Sequence, residues 1–369
     1  METKDLIPFF GIKRQYQYLR EEVIHITDLV YSTGQVLDGP YTVKFEQAIA
    51  NRCNREFAVA VNSCTQGLIF ALQAIFPAGR VLIPTLSFAA TLNSVLMANR
   101  NPEFVDVDYT GLMDLKSVNY SLHHESVSAI MYVNLFGNTV DYDQFRVLTA
   151  FWGSNPMIIE DAAQSFGASY KDIPSGKMGD VSVLSFDPTK NLPNYGSGGM
   201  ILTDDHKLAE SFRDMRDNGK HGYHEFPGTN SKMSEVDCAQ MLVKLSYFDT
   251  WQQRRTEIAN YYIEQIGTYV DVVGPGKDVT PAWHKFVVRL QANRNMLQHT
   301  LREKGIETKI HYAQPLDLLS VGGPYANSPI YSGSHAFSKE CLSLPIYPEL
   351  TDSEVEHIAA SVREFLTNA

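Results

Sequence analysis

MIIEDAAQSFGASYKDIPSGKMGDVSVLSFDPTKNLPNYGSGGMILT, residues 157–203, contains three apolar runs with strand character: MIIED (157–161), VSVLSF (181–186) and GMILTDD, which extends to 205. Each is apolar along its length instead of alternating, the pattern of a strand covered on both faces. Four earlier runs have the same character: AVAV (57–60), RVLIP (80–84), EFVDVD (103–108) and AIMYVNLF (129–136). Helical patterns lie between several of them. In TQGLIFALQAIF (65–76), Leu68, Ile69, Leu72 and Ile75 fall on one face, and SFAATLNSVLMAN (87–99) repeats the spacing. Continuous apolar strands alternating with helices predict an α/β fold with a mainly parallel, seven-stranded sheet between helices.

Beyond this region the character changes. Residues 232–265 read as a long helical region, broken near Phe248–Asp249. WHKFVVRL (283–290) reads as a strand, NRNMLQHTLREKG (293–305) as a helix and IETKIHY (306–312) as a second strand. A final helix starts at Thr351-Asp-Ser-Glu354, a capping-box pattern, and the Gly/Pro/Ser-rich stretch 320–335 reads as a surface loop. The expected division is a large α/β domain with an N-terminal helical segment, residues 1–250, and a small α+β C-terminal domain, residues 251–369.

The chain has 369 residues, 44% of them hydrophobic and 20% charged, which excludes disorder as the dominant state. Its 31 basic and 42 acidic residues give a net charge of −11, the opposite balance to a protein that grips nucleic acid through phosphates. No apolar run approaches the ~18 residues of a membrane span. METKDLIPFFGIKRQ places charges where a signal peptide needs its apolar segment. The four cysteines are scattered, without a CxxC pair. These features predict a cytoplasmic enzyme without membrane or nucleic-acid partners.

Lys190 follows a buried strand and precedes a glycine-rich turn. There a lysine can have a lowered pKa and form a Schiff base, although a strand-end lysine alone is more often a surface charge. Asp161, in Glu160-Asp161-Ala162-Ala163-Gln164, also ends an apolar strand. Ligand sites of parallel sheets gather at such ends, and a buried carboxylate there can keep a pyridine nitrogen protonated; alternatively Asp161 only caps its turn. Asn62-Ser63-Cys64-Thr65-Gln66-Gly67 opens the first amphipathic helix and can present hydroxyls and amides to a phosphate, or act as an ordinary N-cap. Phe88 can stack on a flat ring or pack in the core. Together, a phosphate cup, an aromatic, a carboxylate and a lysine in this order describe a pyridoxal-phosphate site.

The sequence resembles the DegT/DnrJ/StrS family of nucleotide-sugar aminotransferases along nearly its whole length. The resemblance is carried by LDGPYTVKFEQAIA, AVAVNSCTQGLIFALQAI, IPTLSFAATLNSVLMANRNPEFVDVD, IIEDAAQSFGASY, SFDPTKNLPNYGSGGMILT, GTNSKMSEVDCAQMLVKL, WHKFVV and IHYAQPL. It implies the fold type I of pyridoxal 5'-phosphate (PLP)-dependent transferases, with the pyridoxamine form as an intermediate state of the cofactor. By resemblance, Lys190 is the Schiff-base lysine and proton-shuttling base, Asp161 pairs with the pyridine nitrogen, Phe88 stacks on the ring, and Gln164 lies near its phenolic oxygen. Ser63, Cys64, Thr65, Ser185 and the amide of Gln66 form the phosphate side. Asn230, in the GTN motif, matches a position that reaches the phosphate from the neighbouring subunit, which implies a homodimer with shared sites. His311 and Tyr312 match a segment near the sugar pocket. Lys220 and His221, with Lys232, are candidates for a locally positive substrate site. Cys64 replaces the family's usual Gly or Ala, and Gly196-Ser197-Gly198-Gly199 replaces Gly-Glu-Gly-Gly, keeping the glycines of the turn.

The expected reaction moves an amino group from L-glutamate to a nucleotide-linked keto-sugar, a keto-6-deoxy sugar, in surface-polysaccharide or glycoside biosynthesis. Two rivals are a sugar dehydratase of the same fold, in which histidine replaces the lysine, and a PLP-binding regulator without turnover. His123-His124 and His221/His224 lack partner ligands at metal spacing and read as loop histidines, so no metal is expected.

Overall fold

The structure, a computed structural model, describes residues 6–75, 79–124, 127–151, 156–220, 223–224, 227–326 and 331–368. The seven apolar runs form strands β1 (Phe57–Val61), β2 (Arg80–Pro84), β3 (Asn101–Val105), β4 (Val127–Val133), β5 (Met157–Asp161), β6 (Val181–Ser185) and β7 (Gly199–Thr203). They pair in the order β1-β7-β6-β5-β4-β2-β3. Strand β7 is antiparallel to both neighbours, and the other adjacent pairs are parallel. The chain order reverses between β4 and β2, and ligands of such sheets bind outside the carboxyl ends of strands near a reversal.

Alternate side chains of a strand point to opposite faces, and here both faces are buried. From β1, Val59 and Val61 join Leu68, Leu72, Val81 and Val95 in one apolar cluster, beneath helices Cys64–Gln73 and Ala89–Met97. Ala58 and Ala60 face the other way, toward Phe45, Leu184, Met200 and Met241. Burial of each large aliphatic side chain stabilises by about 1.5–3 kcal/mol relative to exposure. This two-sided burial is why the strands are apolar throughout.

A second core gathers Ile258, Tyr262, Phe286, Val288, Leu301, Leu342 and Ile358, together with Ile7 from the other end of the chain. It is built on a three-stranded antiparallel sheet of β8 (Asp271–Val272), β9 (Phe286–Arg289) and β10 (Cys341–Leu344). Its last helix, Asp352–Asn368, starts with the expected capping box: Glu354 N donates to Thr351 Oγ1 (3.2 Å), and Thr351 N donates to Glu354 Oε2 (2.9 Å).

Four local expectations are corrected. The long helix runs unbroken from Glu235 to Ile266. It contains neither Gly nor Pro; Phe248 is buried against Phe166, and Asp249 is held by Arg52. Residues 306–312 make no second strand beyond two isolated bridges, Ile306 to Ile7 and Lys309 to Ser343. Part of their backbone is taken by the N-terminal segment, since Glu307 N donates to Ile7 O (3.0 Å) and Ile7 N to Gly305 O (2.8 Å). The stretch 320–335 is not all loop, because a helix begins at Ser332; residues 327–330 lie outside the described ones. His123 and His124 end the helix Leu115–His124 and are not loop residues.

Candidate active site

At the carboxyl ends of β5 and β6 the two cores border a cavity of about 430 Å³. Ser63, Cys64, Thr65, Phe88, Asp161, Gln164, Ser185 and Lys190 line it from the sheet side, and His311 and Tyr312 from the C-terminal side. Ten of the fifteen residues singled out in the sequence therefore meet in one place. Gln66 takes part through its backbone, donating from N to Ser63 Oγ (3.2 Å), so Ser63 is a true N-cap at the mouth of the cavity.

Asp161 is buried at the last position of β5, opposite Val133 of β4 and Val183 of β6. Its Oδ2 accepts from Thr91 Oγ1 (3.2 Å) and its Oδ1 from Ala163 N (3.2 Å). Thr91 in turn shares a hydrogen bond with Ser87 Oγ (2.7 Å). Burial pushes the carboxyl pKa up, against the opposing pull of the Ala163 amide, Lys190 and Thr91. Lys190 sits in the turn after β6, where its N donates to Asp187 O (2.9 Å). Burial lowers its ammonium pKa, opposed by Cys64, Asp161 and Asp187.

Cys64 Sγ lies 4.0 Å from Asp161 Oδ1, and burial raises its pKa well above the usual thiol range. It is thus a protonated, small buried thiol and not a thiolate nucleophile. Gln164 accepts from Phe136 N (3.0 Å) and donates to Tyr312 Oη (2.9 Å), which fixes its amide orientation. Phe88 precedes the helix Ala89–Met97 with 61% of its surface exposed, and its ring centre is 6.3 Å from that of Tyr312. A large aromatic held open at a cavity mouth is a ready stacking platform. His311 Nδ1 bonds Ser343 Oγ (2.8 Å), and burial, reinforced by Lys285, Lys309 and Lys190, lowers its pKa to about 3. It is a neutral imidazole.

Within this chain's own cavity the positive charge comes from Lys285 and Lys309. Lys220 is exposed, and neither it nor Lys232 lines the cavity. Lys232 is paired with Asp217 and, at 3.5 Å, with Asp38. His221 lies outside the described residues. Asn230 is exposed, bridged to Asp217 through the backbone, and does not line this chain's cavity. Lys285 and Lys309 line it instead. Sequence reading missed them, with His284, Ser87 and Thr91; the signals available were the WHKFVV motif and the four-residue spacing of Ser87 and Thr91. His284 Nδ1 meets Asn191 Oδ1 (3.2 Å), tying the lysine-bearing loop to the C-terminal side.

The chain is 32% identical over 370 residues to the pleiotropic regulatory protein of Geobacillus stearothermophilus, covering 97% of this chain and 98% of that one. It is also 32% identical over 381 residues to dTDP-3-amino-3,4,6-trideoxy-alpha-D-glucose transaminase of Streptomyces venezuelae, covering 97% and 96%. The crystal structure of S. venezuelae DesV superposes with a TM-score of 0.93 at 31% identity, covering 98% of this chain and 99% of that one. The fold is that of the PLP-dependent transferases of type I. Residues 17–363 match the DegT/DnrJ/EryC1/StrS aminotransferase family, and the chain belongs to that PLP-dependent family.

Proposed function

We propose that the chain is a PLP-dependent aminotransferase that converts a nucleotide-linked keto-sugar, of the keto-6-deoxy type, to the amino-sugar with L-glutamate as donor. The observation that carries the reading is the pair Asp161 and Lys190 in one cavity. Asp161 is buried and has no ion pair to a side chain among the described residues, so its site suits a cation such as a protonated pyridine nitrogen. The N-cap at Ser63, the open ring of Phe88 and the desolvated amine of Lys190 suit the cofactor's phosphate, ring and carbonyl carbon. The residues present fit PLP.

When bound, the cofactor supplies a carbonyl carbon for amine exchange and a ring that stores an electron pair. Asp161 would hold the proton on the ring nitrogen, and Phe88 would hold the ring flat. Ser63, Thr65, Ser185 and the Gln66 amide would bind the phosphate at the helix N-terminus. Gln164, oriented by Phe136 and Tyr312, would donate to the ring's phenolic oxygen. Lys190 Nζ would hold the cofactor at its carbonyl carbon and, as a free amine, would move the proton from the donor's Cα. With the keto-sugar as acceptor the same amine would move a proton the opposite way, onto the sugar carbon. A lowered lysine pKa increases the fraction of free amine available for this work.

A homodimer is part of this reading, with large and small lobes of residues 1–250 and 251–369. It is supported by exposed apolar side chains at Tyr31, Val36, Leu37 and Val43. Exposed Asn230, with Lys220 and His221, would then serve a neighbour's site. A cytoplasmic location is likewise proposed; no helix among the described residues is long and apolar enough to cross a membrane. The test is glutamate-dependent amination across nucleotide-linked 3-keto and 4-keto-6-deoxy sugars, read as amino-sugar formed and 2-oxoglutarate released. Absence of both products across the panel would overturn the assignment.

A further inference from the structure

Two cations of the C-terminal side enter the cavity. Lys285 immediately precedes β9 and is 5% exposed; Lys309 is joined to Ser343 of β10 by a backbone bridge. Both converge on the same aromatic pair. Lys285 Nζ is 4.3 Å and Lys309 Nζ 4.9 Å from the ring centre of Phe10, and each lies within 6 Å of Phe9. Neither lysine has an ion pair among the described residues. The carboxylate whose charge bears on Lys285 is Asp187, and its Oδ1 already accepts from Thr189 N and Oγ1 (3.0 and 2.6 Å). Lys190, Arg255 and Lys309 all push on Lys285 in the same direction as burial does, lowering its pKa well below the lysine range. Desolvated cations crowded together are costly unless an anion joins them. The aromatic faces of Phe9 and Phe10 offset only part of that cost.

We propose that Lys285 and Lys309 form the subsite that holds a carboxylate of the amino donor, a proposal that rests on the transaminase reading above. Position argues for the donor. The phosphate cup belongs to the sheet side, at Ser63–Gln66, whereas these lysines approach Lys190 from the C-terminal side. The reacting carbon must lie at Lys190. An α-amino acid carries a carboxylate on that very carbon, whereas a nucleotide sugar carries its diphosphate across the ring from a 3- or 4-keto group. Two ammonium groups also match a dicarboxylate better than a monocarboxylate.

Glutarate, which has both carboxylates of glutamate but no amine to react, is the direct probe. Calorimetric titration of holoenzyme with glutarate should show affinity reduced at least about tenfold in Lys309→Met and in Lys285→Met, with Lys309→Arg largely restored. In steady state the same Met variants should raise the KM for L-glutamate while the KM for the keto-sugar changes less than about twofold. Unchanged glutarate affinity in both Met variants would overturn the subsite, and so would a loss that falls on the keto-sugar. The transaminase reading fails separately, if wild-type holoenzyme releases no 2-oxoglutarate from glutamate.

Discussion

Burial acts in opposite directions on the two acid–base groups of the cavity, raising the Asp161 carboxyl and lowering the Lys190 ammonium. Each shift makes the residue dependent on what the other and the cofactor provide. Lys190→Ala removes the group that moves the proton and should cut 2-oxoglutarate release by at least about a thousandfold, with the far-ultraviolet dichroism of the fold unchanged. Asp161→Asn keeps the shape and the Thr91 contact but not the charge. It should lower turnover by about a hundredfold or more while part of the cofactor stays bound, measured as turnover per bound PLP. Asp161 and Lys190 were legible in the sequence because both stand at the ends of unmistakable strands. Lys285 and Lys309 were not. Two lysines 24 positions apart give no sign of meeting until the C-terminal side folds over Phe10. On charge alone they read as surface, no different from Lys220 and Lys232.

The strand–turn–helix units were read within two or three residues because both faces of the sheet are buried, so strand identity is written in uninterrupted apolar runs. The edge segment 306–312 was misread for the opposite reason: its pairing is set by Ile7, far away in sequence. The glycine-rich turn before β7 shows a second kind of misreading. Its glycines were expected to supply backbone freedom, yet Gly196, Gly198 and Gly199 all have ordinary negative or extended φ. What Gly199 supplies is space. A Cβ there would lie 2.6 Å from Cys64 N and from Ser63 C, within the backbone of the phosphate cup. Gly199→Ala should therefore destabilise by about 1–3 kcal/mol in urea titration and accelerate cofactor loss on dialysis. Ser63→Ala removes the helix cap as well as a hydroxyl of the phosphate cup, and the lost cap alone should cost about 1 kcal/mol of stability.

Across the whole molecule the unbroken helix Glu235–Ile266 joins the two cores, with Phe248 and Trp251 in one and Ile258 and Tyr262 in the other. It also carries a buried cation. Lys244 is fully buried, donates to Pro193 O (2.6 Å) and has its Nζ 3.2 Å from the centre of the Tyr195 ring. Burial lowers its pKa from 10.5 to about 7, opposed by Glu349 and Asp237. The unfolded chain thus binds more protons at this site between about pH 7 and 10, and global stability should rise with pH across that window. The slope from this residue is at most about 1.4 kcal/mol per pH unit. Denaturant midpoints for wild type and Lys244→Met, compared from pH 7 to 10, should show the rise in wild type and a flatter profile in the variant. A parallel profile in both would contradict this role.

Ile7 and Phe9 take their partners from residues 305–307, and Phe9 N donates to Glu307 Oε2 across a separation of 298 residues. On a ribosome adding about 5–20 residues per second, the N-terminal segment would wait roughly 15–60 s before its partner segment emerges. The large sheet, whose last strand ends at Thr203, can assemble during that interval. Phe10, which lines the cavity beside Lys285 and Lys309, cannot be seated by these contacts until the interval is over. Closing of the reaction chamber is thereby deferred to the last stage of biosynthesis, since a chain not yet extended to residues 305–307 lacks the wall that would let it receive an amino donor.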